Sequence, residues 1–290
     1  MRSILVEGRR AGGPVYYVHV GDLNWWLFYL DPDFENRLYL WENEHDGKVL
    51  GWILFSLRFR AFDVFVDPNP SLHEQRKRLF LWAEERMRRM VRVQGGQDLS
   101  TMWVSACDSQ LVAHLESRGF ARSDDHILYM QRPLDQPVSE PPLPPGYCLR
   151  RVAGEHEVEQ RAIVSHAAFE STKPFERYTQ GTLRFIRSSV YTPDLDVVAV
   201  APDGQFAEFC ICWMDEANQV GHLEPVGTHP RFRRKGLGAA VVSEGLQRMK
   251  ARGMTAAGVC VESGNRPAQR LYESVGFRGV LRIDTYVKGL

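Results

Sequence analysis

Between Arg231 and Leu246 the chain reads R-F-R-R-K-G-L-G-A-A-V-V-S-E-G-L. A β-rich run (Val220–Thr228) leads through a Pro-Arg turn into this basic, glycine-containing loop, and the loop opens an amphipathic helix. The first backbone N–H groups of a helix lack internal partners and carry the positive end of its dipole. Glycine lets an anion approach such groups closely, while Arg233, Arg234 and Lys235 add positive charge. The pattern suits a phosphate or pyrophosphate. The spacing is neither that of a Walker loop nor that of a dinucleotide fingerprint. Taken alone, an R-x-x-G-x-G stretch is also what a capped helix beside a solvated face looks like.

A second constellation lies downstream, in N-R-P-A-Q-R-L-Y-E-S-V-G-F from Asn265 to Phe277. Pro267 fits the first turn of a helix, Ala268 and Leu271 share one face, and Gly276 is placed to end it. Before it, Ala256–Val261 reads as a strand. From near Tyr147 to Leu290 the order and separation of these motifs resemble the GNAT superfamily of N-acetyltransferases, which use acetyl-coenzyme A. The resemblance implies an acyltransferase with acetyl-CoA as co-substrate.

The resemblance also implies roles. Donor and acceptor meet where the strand before the phosphate loop splays from the next one, here Val220–Thr228 and Ala256–Val261. Val226, Gly227 and Thr228 would meet the pantetheine arm, with the Val226 N–H polarising the thioester carbonyl. The backbone from Arg233 through Arg234, Lys235, Gly236 and Leu237 to Gly238 would hold the pyrophosphate. Asn265 and Ala268 would contact the coenzyme, although Asn265 just ahead of Pro267 is equally placed as a helix cap. Tyr272 is implied as the acid that protonates the departing thiolate. Glu224 stands where several family members carry a catalytic glutamate. It can serve as general base or as an electrostatic anchor for an ammonium group. Pro225 after it cannot donate a ladder hydrogen bond, which suits a bulge at this point.

These groups need a scaffold. The second half reads as strand Tyr147–Val152, two helices within Glu155–Ser189, and strands Asp196–Ala201, Gln205–Met214 and Val220–Thr228. The phosphate-loop helix Gly236–Arg252, strand Ala256–Val261, a short helix from Pro267 and a terminal strand within Phe277–Val287 follow. Pro133–Pro145 holds six of the chain's 16 prolines, a density that forbids helix and central strand. It marks a linker between residues 1–132 and 146–290. The two sides share landmarks. Val66-Asp67-Pro68 matches Thr228-His229-Pro230, and Asp108 precedes Gly119-Phe120 by the same 11 residues that separate Asn265 from Gly276-Phe277. A long helix (Leu72–Val93) lies between them in the first half.

The expected fold class is therefore α/β (α+β), with two GNAT-like domains, each a mixed, mostly antiparallel sheet flanked by helices. The first copy is expected to be degenerate, because Glu74 and Arg76 stand for Gly236 and Gly238, and Leu115 for Tyr272. Six of the seven tryptophans lie in it, as core and inter-domain contacts or as a ligand wall. The basic residues of its long helix read as a solvated face, partly paired with Glu84 and Glu85.

Lys+Arg and Asp+Glu both number 36 in 290 residues, which disfavours a general nucleic-acid or membrane-surface binder. No apolar run reaches membrane-spanning length, and the start is too charged for a signal peptide, so a cytoplasmic monomer or homodimer is expected. The five cysteines form no framework, and Cys210 and Cys212, on one strand face, read as reduced core residues. His156-Glu157 lacks the second histidine of a zinc-protease motif, and no metal is expected.

The leading functional reading is transfer of an acetyl group to a primary amine of a small molecule. A peptide or protein amine, a mycothiol-type intermediate, and a non-catalytic acyl-CoA-binding role stay open. Acceptor specificity is expected in Phe169–Val190 and around Trp213–Glu216, with Glu170, Phe175, Glu176, Tyr178, Asp215 and Glu216 as candidate contacts for a cationic amine.

Overall fold

The apolar residues that recur at helical spacing in Leu72–Val93 come together on one buried stripe. In the computed structural model, which describes residues 1–13, 16–27 and 37–290, Phe80, Ala83, Met87 and Val91 pack from this helix onto the sheet beneath. In chain order the first half contributes α1 (Arg2–Gly12), α2 (Val20–Trp25), β1 (Leu38–Glu42), β2 (Val49–Ser56), β3 (Ala61–Val66), α3 (His73–Val93), β4 (Asp98–Ser105), α4 (Ser109–Ser117) and β5 (Ala121–Pro133). The second contributes β6 (Cys148–Arg151), α5 (Val158–Ala168), α6 (Phe175–Arg187), β7 (Asp196–Val200), β8 (Phe206–Asp215), β9 (Val220–Thr228), α7 (Leu237–Ala251), β10 (Ala256–Glu262), α8 (Arg266–Ser274) and β11 (Arg278–Gly289).

The mixed, mostly antiparallel sheets expected for each half are joined into one. Eleven strands run in the order β1-β2-β3-β4-β11-β5-β10-β9-β8-β7-β6. The last strand of each half crosses over. β5 pairs antiparallel with β10 from Ala256–Pro133 to Glu262–Ile127, while β11 lies between β4 and β5. Edges that each half would otherwise expose are paired by the other.

The tandem repeat is visible element by element. Asp108 caps α4 by accepting from the Leu111 N–H at 3.0 Å, and Asn265 caps α8 from the Ala268 N–H at 3.2 Å. Gly119 and Gly276 both adopt the left-handed conformation that ends these helices, and Phe120 and Phe277 are buried after them. α1 and α2 were not anticipated. They bridge the halves: Ile4, Leu5, Val20 and Leu23 pack with Trp52 and Phe65 of the first half, while toward the second Arg9 pairs with Asp215 at 3.2 Å, Asn218 donates to the Val6 carbonyl at 3.0 Å, and Trp25 packs with Ile211 and Trp213.

β7 and β8 are buried almost throughout because both faces are covered. α7 lies on one face over Cys210, Cys212 and Leu223; α5, α6 and α2 lie on the other over Ile211 and Trp213. Cys210 and Cys212 are free and buried, with their sulfurs 3.8 Å apart. One reading of the first half is corrected. Glu84 is not part of a solvated face but is buried, and it receives Arg88, Arg118 and Lys288. Of the tryptophans, Trp52 is a core residue stacked on Phe65, and Trp25 bridges the halves, whereas Trp82 is exposed.

Candidate active site

The splay comes from register. β9 and β10 pair in parallel from Val220–Ala256 to Leu223–Val259, and the pairing stops there. Beyond it, β10 stays with β5 and β9 stays with β8. On β9 an extra residue enters between Leu223 and Val226, opposite Cys212 and Cys210, so the bulge falls on Glu224-Pro225. The peptide joining those two residues is cis. The Trp213 indole N–H donates to the Glu224 carbonyl at 2.5 Å, which ties the bulge to β8.

Alternation along β9 sends Leu223 toward α7, and His222 and Glu224 toward α2. Burial pushes the Glu224 carboxyl up to about 8, and the charge of Asp22 adds to the rise. Asp22, His222 and Glu224 each bring an oxygen or nitrogen within 4.8 Å of the other two. His222 Nε2 lies 3.2 Å from Asp22 Oδ1, and Asp22 Oδ2 accepts the His19 backbone N–H at 2.7 Å. The His19 ring stacks on His222 at 4.8 Å, and burial holds its pKa well below the usual histidine range. It accepts the Gly21 N–H at Nδ1 and lies 3.2 Å from the Val220 carbonyl at Nε2.

The phosphate-loop candidates lie at the head of α7. A short turn at Pro230–Phe232 precedes Arg233, and Arg234 and Gly236 both take positive φ, 63° and 79°. Gly236 is the N-cap, so α7 presents its first amides beyond a left-handed residue. Gly238 serves differently: a Cβ there would lie 3.0 Å from Leu271 of α8 and 3.6 Å from Glu208. Gly227 has no room either, since a Cβ would meet Phe209 at 2.8 Å and Ala168 at 2.9 Å. Arg233 reaches Glu170 and the Ala168 carbonyl, both at 3.4 Å, and Lys235 donates to the Tyr147 hydroxyl at 3.0 Å.

Tyr272, on α8, is buried in the core between α7 and the sheet. Burial pushes its phenol well above the ordinary value, and Cys210, Glu224, Glu208 and Cys260 act in the same direction. Glu208 on β8, directly across from Thr228, is buried with neither carboxylate oxygen meeting a donor. Burial lifts it to about 7, a rise that the Thr228 hydroxyl, outside hydrogen-bond geometry, offsets only in part.

Not every acceptor candidate converges here. Asp215 is buried against Arg9 and Asn218, so it is no free contact for an amine. Tyr178 is buried with its ring against His166, and Glu170 faces Arg233. The residues that do approach Glu224 and were not read from the sequence are Asp22 and His222, while Trp213 belongs to the strand region expected to shape the acceptor site. His222-x-Glu224 alternation on a strand was a usable signal for one of them; nothing in the sequence pointed to Asp22.

In the first half the corresponding place is different. β3 and β4 pair only at Ala61–Ser100 and Phe62–Thr101 before they part. A cavity of about 350 Å³ lies there, lined by Tyr16, Asp67, His73, Arg76, Cys107 and Asp108 among others. Arg76 crosses to Asp108 at 2.8 Å, Glu74 is exposed and bound to Lys77, and Leu115 is wholly buried. The Tyr16 hydroxyl donates to the Val66 carbonyl at 3.2 Å, at the end of β3.

Known proteins share this fold. Residues 161–277 match the model of the acetyltransferase (GNAT) family. A mycothiol acetyltransferase of Thermomonospora curvata is 29% identical over 153 residues, 52% of this chain and 51% of that one. One from Salinispora arenicola is 28% identical over 153 residues, 51% of this chain and 50% of that one. The chain thus spans about half the length of these curated relatives. Among solved structures, a tandem GNAT protein from the clavulanic acid biosynthesis pathway superposes with a TM-score of 0.70 at 16% identity, covering 99% of this chain and 94% of that one. A GCN5-related N-acetyltransferase from Sphaerobacter thermophilus gives 0.65 at 20% identity, covering 99% and 91%.

Proposed function

We propose, for a chain whose residues 161–277 belong to the GNAT acetyltransferase family, that the second half transfers an acetyl group from acetyl-CoA to a primary amine of a small molecule. The observation that carries this reading is the position of Glu224: a raised carboxylate on a bulge, at the point where β9 leaves β10. The head of α7 suits the pyrophosphate, with Gly236 left-handed and basic side chains on the loop. The unpaired edge of β9 from Val226 to Thr228 suits the pantetheine arm.

The chemistry asks little more. An acceptor arrives as an ammonium ion, and Glu224 takes its proton, as a base with a pKa near the working pH does best. The free amine attacks the thioester carbon, the C–N bond forms, and the Val226 N–H supports the oxyanion. The C–S bond then breaks as Tyr272 gives its proton to the thiolate; the second proton shed by the new amide nitrogen restores the phenol, and Glu224 releases the first to solvent. Burial keeps that phenol protonated until an anion forms beside it. The relatives' name favours a second reading of the acceptor, a mycothiol-type intermediate.

Glu224→Gln and Tyr272→Phe test the assignment. Coenzyme A release with a panel of amines should fall about a hundredfold or more in each. In Glu224→Gln the rise of kcat/KM with pH through about 8 should also disappear. An unchanged pH profile in that variant would remove Glu224 as the base.

A further inference from the structure

We propose that Asp22, carried by α2 of the first half, is a positioning residue of the second half's acceptor site, pairing its charge with Glu224 so that the seat selects amines with no carboxylate beside the nitrogen. This rests on the reading of Glu224 as the base that receives the ammonium group.

Asp22 is brought to this place by construction. α2 lies so close to β8 that a Cβ on Gly21 would overlap Trp213 at 2.4 Å, and Trp213 is the residue that holds the Glu224 carbonyl. The Asp22 carboxylate closes the capping box of α2 through His19 and meets His222 with its other oxygen. Two of its four lone-pair directions are thereby used, and the charge stays fixed within 4.8 Å of Glu224. His222 Nδ1 is buried with no partner, so the ring reaches the carboxylates through Nε2 alone.

The titratable and charged groups around Glu224 come from several elements: Asp22 from α2, His222 from β9 itself, Cys260 from β10 and Tyr272 from α8. Arg9 of α1 pairs with Asp215 through Nε, and its charge is felt at His19 of the α2 cap and at Cys260. Cys260 and Tyr272 are both pushed well above their ordinary values by burial, so each is neutral at working pH. That leaves Asp22 as the anion acting on Glu224 among the described residues. Two carboxylates that, among the described residues, make no ion pair with an Arg or Lys favour a cation between or beside them. They equally repel a carboxylate attached next to the incoming nitrogen. An amine such as tyramine or agmatine fits; tyrosine or arginine brings a third negative charge to the same place.

Asp22→Asn tests this. It keeps an oxygen to accept the His19 N–H, so α2 stays capped while the charge goes. Circular dichroism checks that the variant is folded. With glutamate carboxyl carbons labelled, the Glu224 signal is identified by its loss in Glu224→Gln. Its titration midpoint should lie near 8 in the native chain and move down in Asp22→Asn by about one unit. In assays with tyramine against tyrosine and agmatine against arginine, the native chain should prefer the amines about tenfold or more, and Asp22→Asn should narrow that ratio. An unmoved midpoint would overturn the proposal whatever the activity. So would an unchanged ratio, or stoichiometric tight binding of zinc that Asp22→Asn abolishes, which would make the cluster a metal site. Activity unaffected by Glu224→Gln would instead overturn the base assignment on which it rests.

Discussion

Glu208 stands apart from the catalytic candidates as a buried carboxylate near the phosphate loop. Its carboxylate is buried without a donor, next to the head of α7, and burial lifts it to about 7. A carboxyl whose folded pKa is raised adds stability that is fully present below its unfolded value of about 4.5. That contribution is lost as pH rises through 7. Glu208→Gln should therefore flatten the fall in melting temperature between about pH 5 and about pH 8, by an amount of order 3 kcal/mol at the upper end. Thermal denaturation followed across that range tests it. A variant whose stability falls with pH as steeply as the native chain would show that Glu208 carries no buried charge. Nothing in the residues around position 208 signalled this, since E-F-C-I-C-W reads only as a buried strand.

Elements, rather than single residues, decide what the phosphate loop tolerates. Sequence alone treated Gly236 and Gly238 alike, and their separation from Asn265 and Tyr272 was enough to place all four on α7 and α8. The structure divides the two glycines. Gly236 needs its left-handed φ of 79°, whereas Gly238 lets α8 close on α7 through Leu271. Replacing both with Ala should strain the cap, push the helices apart and abolish acetyl-CoA binding. Calorimetric titration should give one site per native chain and none in the double variant. Two sites, or tight residual binding, would mean that the first half also takes the coenzyme despite Glu74 and Leu115. Strand bounds of the second half, and those of α7, were legible within two residues because each element has its own period and punctuation, whereas α5 and α6 were legible only as a pair within Glu155–Ser189. α1 and α2 were not, because their polar partners include side chains 200 or more positions away, as in Arg9–Asp215 and Asp22–His222.

At the scale of the whole molecule the exchange of β5 and β11 matters most, and no local pattern announces it. A repeat with a proline-rich linker reads equally well as two sheets or as one, and only the pairing of Glu262 with Ile127 through Ala256 with Pro133 chooses. The consequence is physical interdependence. Residues 146–290 alone would lack β5 and expose the full length of β10, with Tyr129 and Met130 removed from beside Val259 and Cys260. They would also lose α1, which neutralises the buried Asp215, and α2, which covers Trp213. The full chain should therefore unfold in one cooperative transition by calorimetry and by tryptophan fluorescence alike. The fragment 146–290 should aggregate or associate through its open edge instead of folding as a monomer that binds acetyl-CoA. A soluble, monomeric fragment with native affinity would show that the crossed strands are ornament to the second half; a fragment rescued by adding residues 1–145 in trans would show that they complete it.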